Sequence, residues 1–218
     1  MNEAKRLLII GCGGNSQDVV DLVLDINDAS PTSRYRCIGF LDDNPDLIGS
    51  TVRGLPVLGP LQSINQYRDV QAVFMVGSPS SHKERSRIFE KLDTDCAFPA
   101  LIHPSAVISP STTIGEGSVV FPHVSIGSDA YIGRHVMMLP GSVVSHHCHV
   151  GDFTCIAANV TVCGVCRIGK ECYLGAGCSV RERVEVGEQS LIGMAACVLH
   201  DIPAQNSVAG NPARPLRR

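Results

Sequence analysis

The stretch "IGSDAYIGRHVMMLPGSVVSHHCHVG", residues 126–151, decides the fold. An aliphatic residue or Met stands at every sixth position: Ile126, Ile132, Met138, Val144 and Val150. The step runs without a slip from Ile102 to Val198, through 17 positions. The next residue is Gly in eight of them, including Gly115, Gly127, Gly133, Gly151 and Gly169, as suits a chain that turns a corner once per hexad. The fourth residue after each rung is small or thin, as at Ala106, Ser118, Ala130, Ser142 and Cys148. A fixed hexad of this length predicts a solenoid of short strands in which each coil buries its neighbours' aliphatic rungs.

The register also sorts the run His146, His147, Cys148, His149. Cys148 falls in the thin inward slot with Cys166, Cys172 and Cys178, where a thiol acts as a small hydrophobe. A nucleophilic Cys148 is therefore not expected, and the histidines around it stay exposed. Cys163 and Cys166 spell C-x-x-C, but only Cys166 is inward, which argues against a redox or zinc pair.

Before Ile102 strand and helix signals alternate. "RLLIIG" is a continuous apolar run, as in a strand buried on both faces. "CGGNS" is a glycine-rich turn, and "QDVVDLVLDI" has apolar residues at helical spacing. "YRCIGFLDDNPD" reads as a second strand ending in two acids. "QAVFMVGSPSSHKERSRIFEKL" reads as a strand, a turn and a helix capped at Ser80 or Ser81. The expected organisation is a small Rossmann-like α/β unit over residues 1–100, then the repeat domain and its tail over 101–218. Ligands bind such sheets at the carboxyl ends of the strands, here Gly11 to Asn15, Asp42 with Asp43, and Gly77. Gly11 and Gly13 fit G-x-G-x-x-G, but Ser16 replaces its last Gly and the strands are few. A mononucleotide or its sugar derivative fits better than NAD. The plain alternatives are a tight strand-to-helix turn for the glycines and an ordinary strand-end turn for the acids.

Net charge is −3 with no long basic block, which points away from nucleic acid and anionic membranes. The start has charged residues and then a short apolar run, too short for a leader or a span. A cytoplasmic protein is expected, in which the ten cysteines remain thiols.

Hexads such as "IGEGSV", "IGKECY" and "LGAGCS" resemble the hexapeptide-repeat acyltransferases. With "LLIIGCGGNSQDVV", "GFLDDN", "LIHPSAVISP", "SVVSHHCHVGD" and "VAGNPARPL", nearly the whole chain resembles their sugar-nucleotide acetyltransferase branch. That branch holds the bacillosamine and perosamine N-acetyltransferases and the sialic acid O-acetyltransferases. The resemblance implies a left-handed parallel β-helix with about three hexads per coil, acetyl-CoA as co-substrate, no metal, and a homotrimer with sites between subunits. It implies His146 as general base, in a motif where relatives carry an acid at the position of His147. If a coil is 18 residues, Asp129 lies one coil below His147 and is a candidate acid. For a UDP- or GDP-linked amino sugar the implied contacts are Gly13, Gly14, Asn15, Asp42, Asp43 and Gly77. For acetyl-CoA they are Cys155, Gly164, Ala176 and Met194. Asn15 and Cys155 each replace a usual His, and Met194 a usual Gly.

The implied chemistry is direct acetyl transfer to an amine, with the Gly164 N–H as a donor to the oxyanion. Transfer to a hydroxyl is the alternative within the family. From other classes come a zinc hydratase, built on His123, His135 and His147 twelve residues apart, and a non-catalytic nucleotide-binding scaffold. His103 is expected to open the first coil, and His82 and His200 to lie at the surface.

Overall fold

The computed structural model describes residues 3–216. Residues 1–2 and 217–218, at the outer ends of the two expected segments, lie outside the described residues. The first segment contains β1 (Lys5–Ile10), α1 (Gly14–Asp28), β2 (Tyr35–Leu41), β3 (Thr51–Val52), β4 (Leu55–Gly59), β5 (Val70–Phe74) and α2 (Arg85–Glu90). They form one sheet in the order β3-β4-β2-β1-β5, with β1 parallel to both β2 and β5. Leu7 to Ile10 are fully buried, as a central strand covered on both faces requires. The β3–β4 hairpin is absent from the sequence reading; Pro56 in its second strand obscures it. The expected serine cap does not form either. The Ser81 hydroxyl accepts the Ser78 N–H (3.0 Å), and the chain enters α2 through a 3-10 turn at His82–Glu84.

From Leu101 two-residue strands recur each hexad and pair in parallel one coil on, Ile126 with Val144 and Val144 with Val162. Three sheets form the faces of a left-handed β-helix of triangular section. The first face includes Val119–Val120, Met137–Met138, Cys155–Ile156, Tyr173–Leu174 and Leu191–Ile192. The second includes Val107–Ile108, Ser125–Ile126, Val143–Val144, Thr161–Val162, Ser179–Val180 and Cys197–Val198. The third includes Tyr131–Ile132, His149–Val150, Arg167–Ile168 and Glu185–Val186. From Val120 to Val198 no rung is more than 2% exposed, and each is worth about 1.5–3 kcal/mol in burial. Cys148, Cys166, Cys172 and Cys178 are equally enclosed, and burial pushes the Cys172 and Cys178 thiols up to about 12.

The corners differ in detail from the glycine reading. From Ile114 to Ile192, left-handed backbone falls on the third residue after each rung, as at Asp129 (φ 55°), His147 (57°) and Val165 (63°). Glycine directly after a rung serves close approach instead. A Cβ on Gly115 would lie 2.6 Å from the Gly133 carbonyl in the next coil.

The α/β unit covers the first face. Val119, Met137 and Cys155 share one core with Leu7, Ile9, Phe40 and Val73. Docking of α2 adds a polar latch. Arg85 is fully buried, with Nη1 2.6 Å from Cys155 Sγ and Nη2 donating to the His135 carbonyl (2.9 Å). Glu171 accepts from the Ser86 N–H (3.0 Å), the Ser86 hydroxyl (2.6 Å) and Gln189 (2.9 Å). His82 is not at the surface but packs beneath this turn, 3% exposed.

Burial opposes ionisation of Glu171, but the Gln189 and Ser86 hydrogen bonds outweigh it and hold the carboxyl below its usual range. Its stabilising contribution is therefore complete above the ordinary carboxylate value and lost as pH falls through the lowered one. Glu171→Gln is expected to be less stable at neutral pH, and to lose less stability than wild type between about pH 5 and pH 3. Denaturant titrations across that window check it; an identical slope in both proteins contradicts the latch.

Candidate active site

Two surface features carry chemistry, and they lie on opposite sides of the solenoid. The first is a cleft of about 360 Å³ at the carboxyl ends of β1, β2 and β5, lined by Gly13, Gly14, Asn15, Asp42 and Gly77 among others. The turn explanation suffices for Gly11, whose φ is 97°. It does not suffice for Gly13 and Gly14, where an added Cβ meets nothing within 4 Å. Their bareness leaves the start of α1 open to close approach. Asp42 braces the turn by accepting the Cys12 N–H (2.7 Å) and the Asn44 N–H (2.9 Å). Asp43 does not line the cleft. Its carboxylate accepts the Leu61 N–H (2.9 Å) and holds the following 3-10 turn, which corrects its expected role as a ligand contact.

The second feature is the edge between the second and third faces. His146 and His147 project there, exposed, while Cys148 turns inward and donates to the Cys163 carbonyl (3.0 Å). The two Nδ1 atoms of His146 and His147 are 3.0 Å apart, with the rings nearly perpendicular. Asp129, one coil below, places Oδ2 3.6 Å from His147 Nε2. One coil above, Gly164 lies against the His146 ring, and its N–H donates to no acceptor among the described residues. An exposed imidazole next to a free main-chain donor can take a proton and stabilise an oxyanion.

The expected acetyl-CoA residues are divided. Gly164 shares the His146 edge. Ala176 and Met194 follow first-face strands and so lie on the edge between the first and second faces; Met194 is 76% exposed. Cys155 is not available to a ligand. It faces the α/β unit, where Arg85 covers its thiol, and burial raises its pKa despite the nearby guanidinium. The three-histidine arrangement of the zinc reading is not formed either. His135 is buried and stacked on Phe153 (centroids 4.9 Å apart), and burial lowers its pKa to about 4.

Val165 is a residue that sequence reasoning missed. It is β-branched, in left-handed backbone, 39% exposed and one coil above His147. Such strain on an exposed apolar residue is common at functional sites. The signal was available, since the third residue after a rung is the left-handed one.

Two families match the chain in succession: the PglD N-terminal domain over residues 6–92 and the GMPPB C-terminal domain over residues 98–207. GDP-perosamine N-acetyltransferase of Escherichia coli O157:H7 is 30% identical, with 96% of each chain covered. The acetyltransferase domain of PglB from Neisseria gonorrhoeae, solved in complex with acetyl coenzyme A, superposes with a TM-score of 0.86 at 32% identity, covering 98% of this chain and 100% of that one. A histidine-to-asparagine mutant of perosamine N-acetyltransferase from Caulobacter crescentus, in complex with CoA and GDP-perosamine, gives 0.85 at 26% identity, with 97% of each chain covered. The protein therefore belongs to the hexapeptide-repeat acyltransferases, in the branch of the perosamine N-acetyltransferases and the PglB acetyltransferase domain.

Proposed function

We propose that the protein transfers the acetyl group of acetyl-CoA to the amino group of a nucleotide-activated amino sugar, with His146 as general base. The observation that carries this reading is the exposed His146 ring set against Gly164 and its free N–H. The amine attacks the thioester carbonyl and forms the C–N bond as His146 Nε2 takes its proton. The Gly164 N–H donates to the tetrahedral oxyanion. Collapse breaks the C–S bond, and the proton on His146 passes to the leaving thiolate, giving the amide and free CoA. The open turn at Gly13 and Gly14, at the amino end of α1, suits the diphosphate of a GDP- or UDP-sugar. Ala176 and exposed Met194 suit the apolar part of acetyl-CoA.

A homotrimer with sites shared between subunits fits the same geometry. The cleft adjoins the first face and His146 stands on the opposite edge, so one chain cannot present both to one substrate. The second face, between the two edges, shows Val107, Ser125, Val143, Thr161, Ser179 and Cys197 outward, with no charge among them. Packing that face on another copy brings the His146 edge of one subunit to the cleft of the next.

The test is acetyl-CoA with GDP-perosamine and with a UDP-linked amino sugar. CoA thiol release matched by one added acetyl group on the sugar amine is expected for one of them. Acetylation of a hydroxyl would change the acceptor, and no thiol release above hydrolysis with any amino sugar nucleotide would overturn the reading.

A further inference from the structure

We infer that Asp129 and His147 form a relay that fixes the tautomer of His146 and leaves its Nε2 bare for catalysis, an inference that rests on His146 being the base. Two Nδ1 atoms 3.0 Å apart need one proton between them, since two N–H groups or two lone pairs would repel. Which ring carries it follows from the other end of His147. Its Nε2 faces the Asp129 carboxylate, which only accepts, so that nitrogen carries the proton. A neutral His147 then has a bare Nδ1, which accepts from His146 Nδ1–H. His146 is left with its lone pair on Nε2, the ring atom 2.7 Å from where a Cβ on Gly164 would stand.

The fold explains the arrangement. Asp129 and His147 occupy the same left-handed corner position in successive coils, so their side chains leave the backbone in the same direction. The Asp129 N–H is held by the Ser111 hydroxyl (2.9 Å), which steadies the carboxylate's base. The 3.6 Å between His147 and Asp129 exceeds a formed hydrogen bond. A small rotation of either exposed side chain closes it, and such contacts commonly tighten when substrate binds. Through His147, an acid one coil away does what an adjacent carboxylate would do directly. Asp129 and His147 are thus positioning residues, which act by setting the tautomer of His146.

The experiment combines histidine tautomers, read by long-range ¹H–¹⁵N spectra of ¹⁵N-histidine-labelled protein at mildly alkaline pH, with kinetics of Asp129→Leu, Asp129→Asn and His147→Glu. In wild type, His146 is expected to carry its proton on Nδ1 and His147 on Nε2. Asp129→Leu moves both toward the opposite tautomers and lowers kcat about tenfold, the low end for loss of a histidine's orienting partner, with KM for acetyl-CoA unchanged. Asp129→Asn, whose side-chain oxygen accepts the same proton, keeps the tautomers and most of kcat. In a His147→Glu background Asp129→Leu is silent, because the new carboxylate accepts from His146 without a relay. A wild-type His146 protonated on Nε2, or an Asp129→Leu variant with unchanged tautomers and kcat, overturns the inference. Persistent turnover in His146→Gln would refute the base assignment instead, and the tautomers in wild type report the relay independently of it.

Discussion

Replacing His146 with glutamine lowers kcat for acetyl transfer by about 10²- to 10⁴-fold, the usual contribution of a positioned general base. The side chain is exposed and packs in no core, so oligomeric state and acetyl-CoA affinity stay unchanged. That separation of kcat from binding distinguishes a base from a structural histidine. Steady-state kinetics with sedimentation and acetyl-CoA titration of the same preparation checks it. A kcat within a few-fold of wild type would move the base elsewhere on the edge.

Gly164→Ala carries the second large effect. An added Cβ would stand 2.6 Å from Cε1 and 2.7 Å from Nε2 of His146, closer than real contacts allow. Gly164 is not in left-handed backbone, so alanine itself is accommodated, and the obstacle is the far end of a mobile side chain. The ring swings aside and the fold survives. A displacement of about 1 Å at the reacting atom costs about 10²-fold in kcat. The melting temperature stays near wild type, and adding Gly164→Ala to His146→Gln costs nothing further. Additive losses would mean that Gly164 acts by a route other than holding the imidazole in place.

Much of this architecture is legible in the hexad. Its period alone turns Cys148 inward and leaves His146 and His147 outside, while the stacking of Asp129 beneath His147 needs the 18-residue coil that the family resemblance implies. The period cannot reveal what covers each face of the solenoid. Cys155 occupies an outward strand position that would meet solvent in an isolated helix, and here it meets α2. A clue lay at eighteen-residue spacing, because Val119, Met137, Tyr173 and Leu191 at equivalent positions are also apolar. His82 was misplaced for a similar reason: a histidine amid serines reads as exposed, yet docking of the turn on the solenoid encloses it. Asp43 failed for a local reason. Two adjacent acids at a strand end look equivalent in sequence, but only Asp42 faces the cleft, while Asp43 is spent on the Leu61 N–H.

The central claim is that each site combines the cleft of one subunit with the His146 edge of another. Co-expression of two differently tagged inactive chains tests it most directly, one bearing His146→Gln and the other Gly13→Trp to fill the cleft. Mixed trimers carrying both tags are predicted to regain about a third of wild-type activity, because one of their three junctions then pairs an intact cleft with an intact histidine. Mixed oligomers as inactive as either parent would contradict the account.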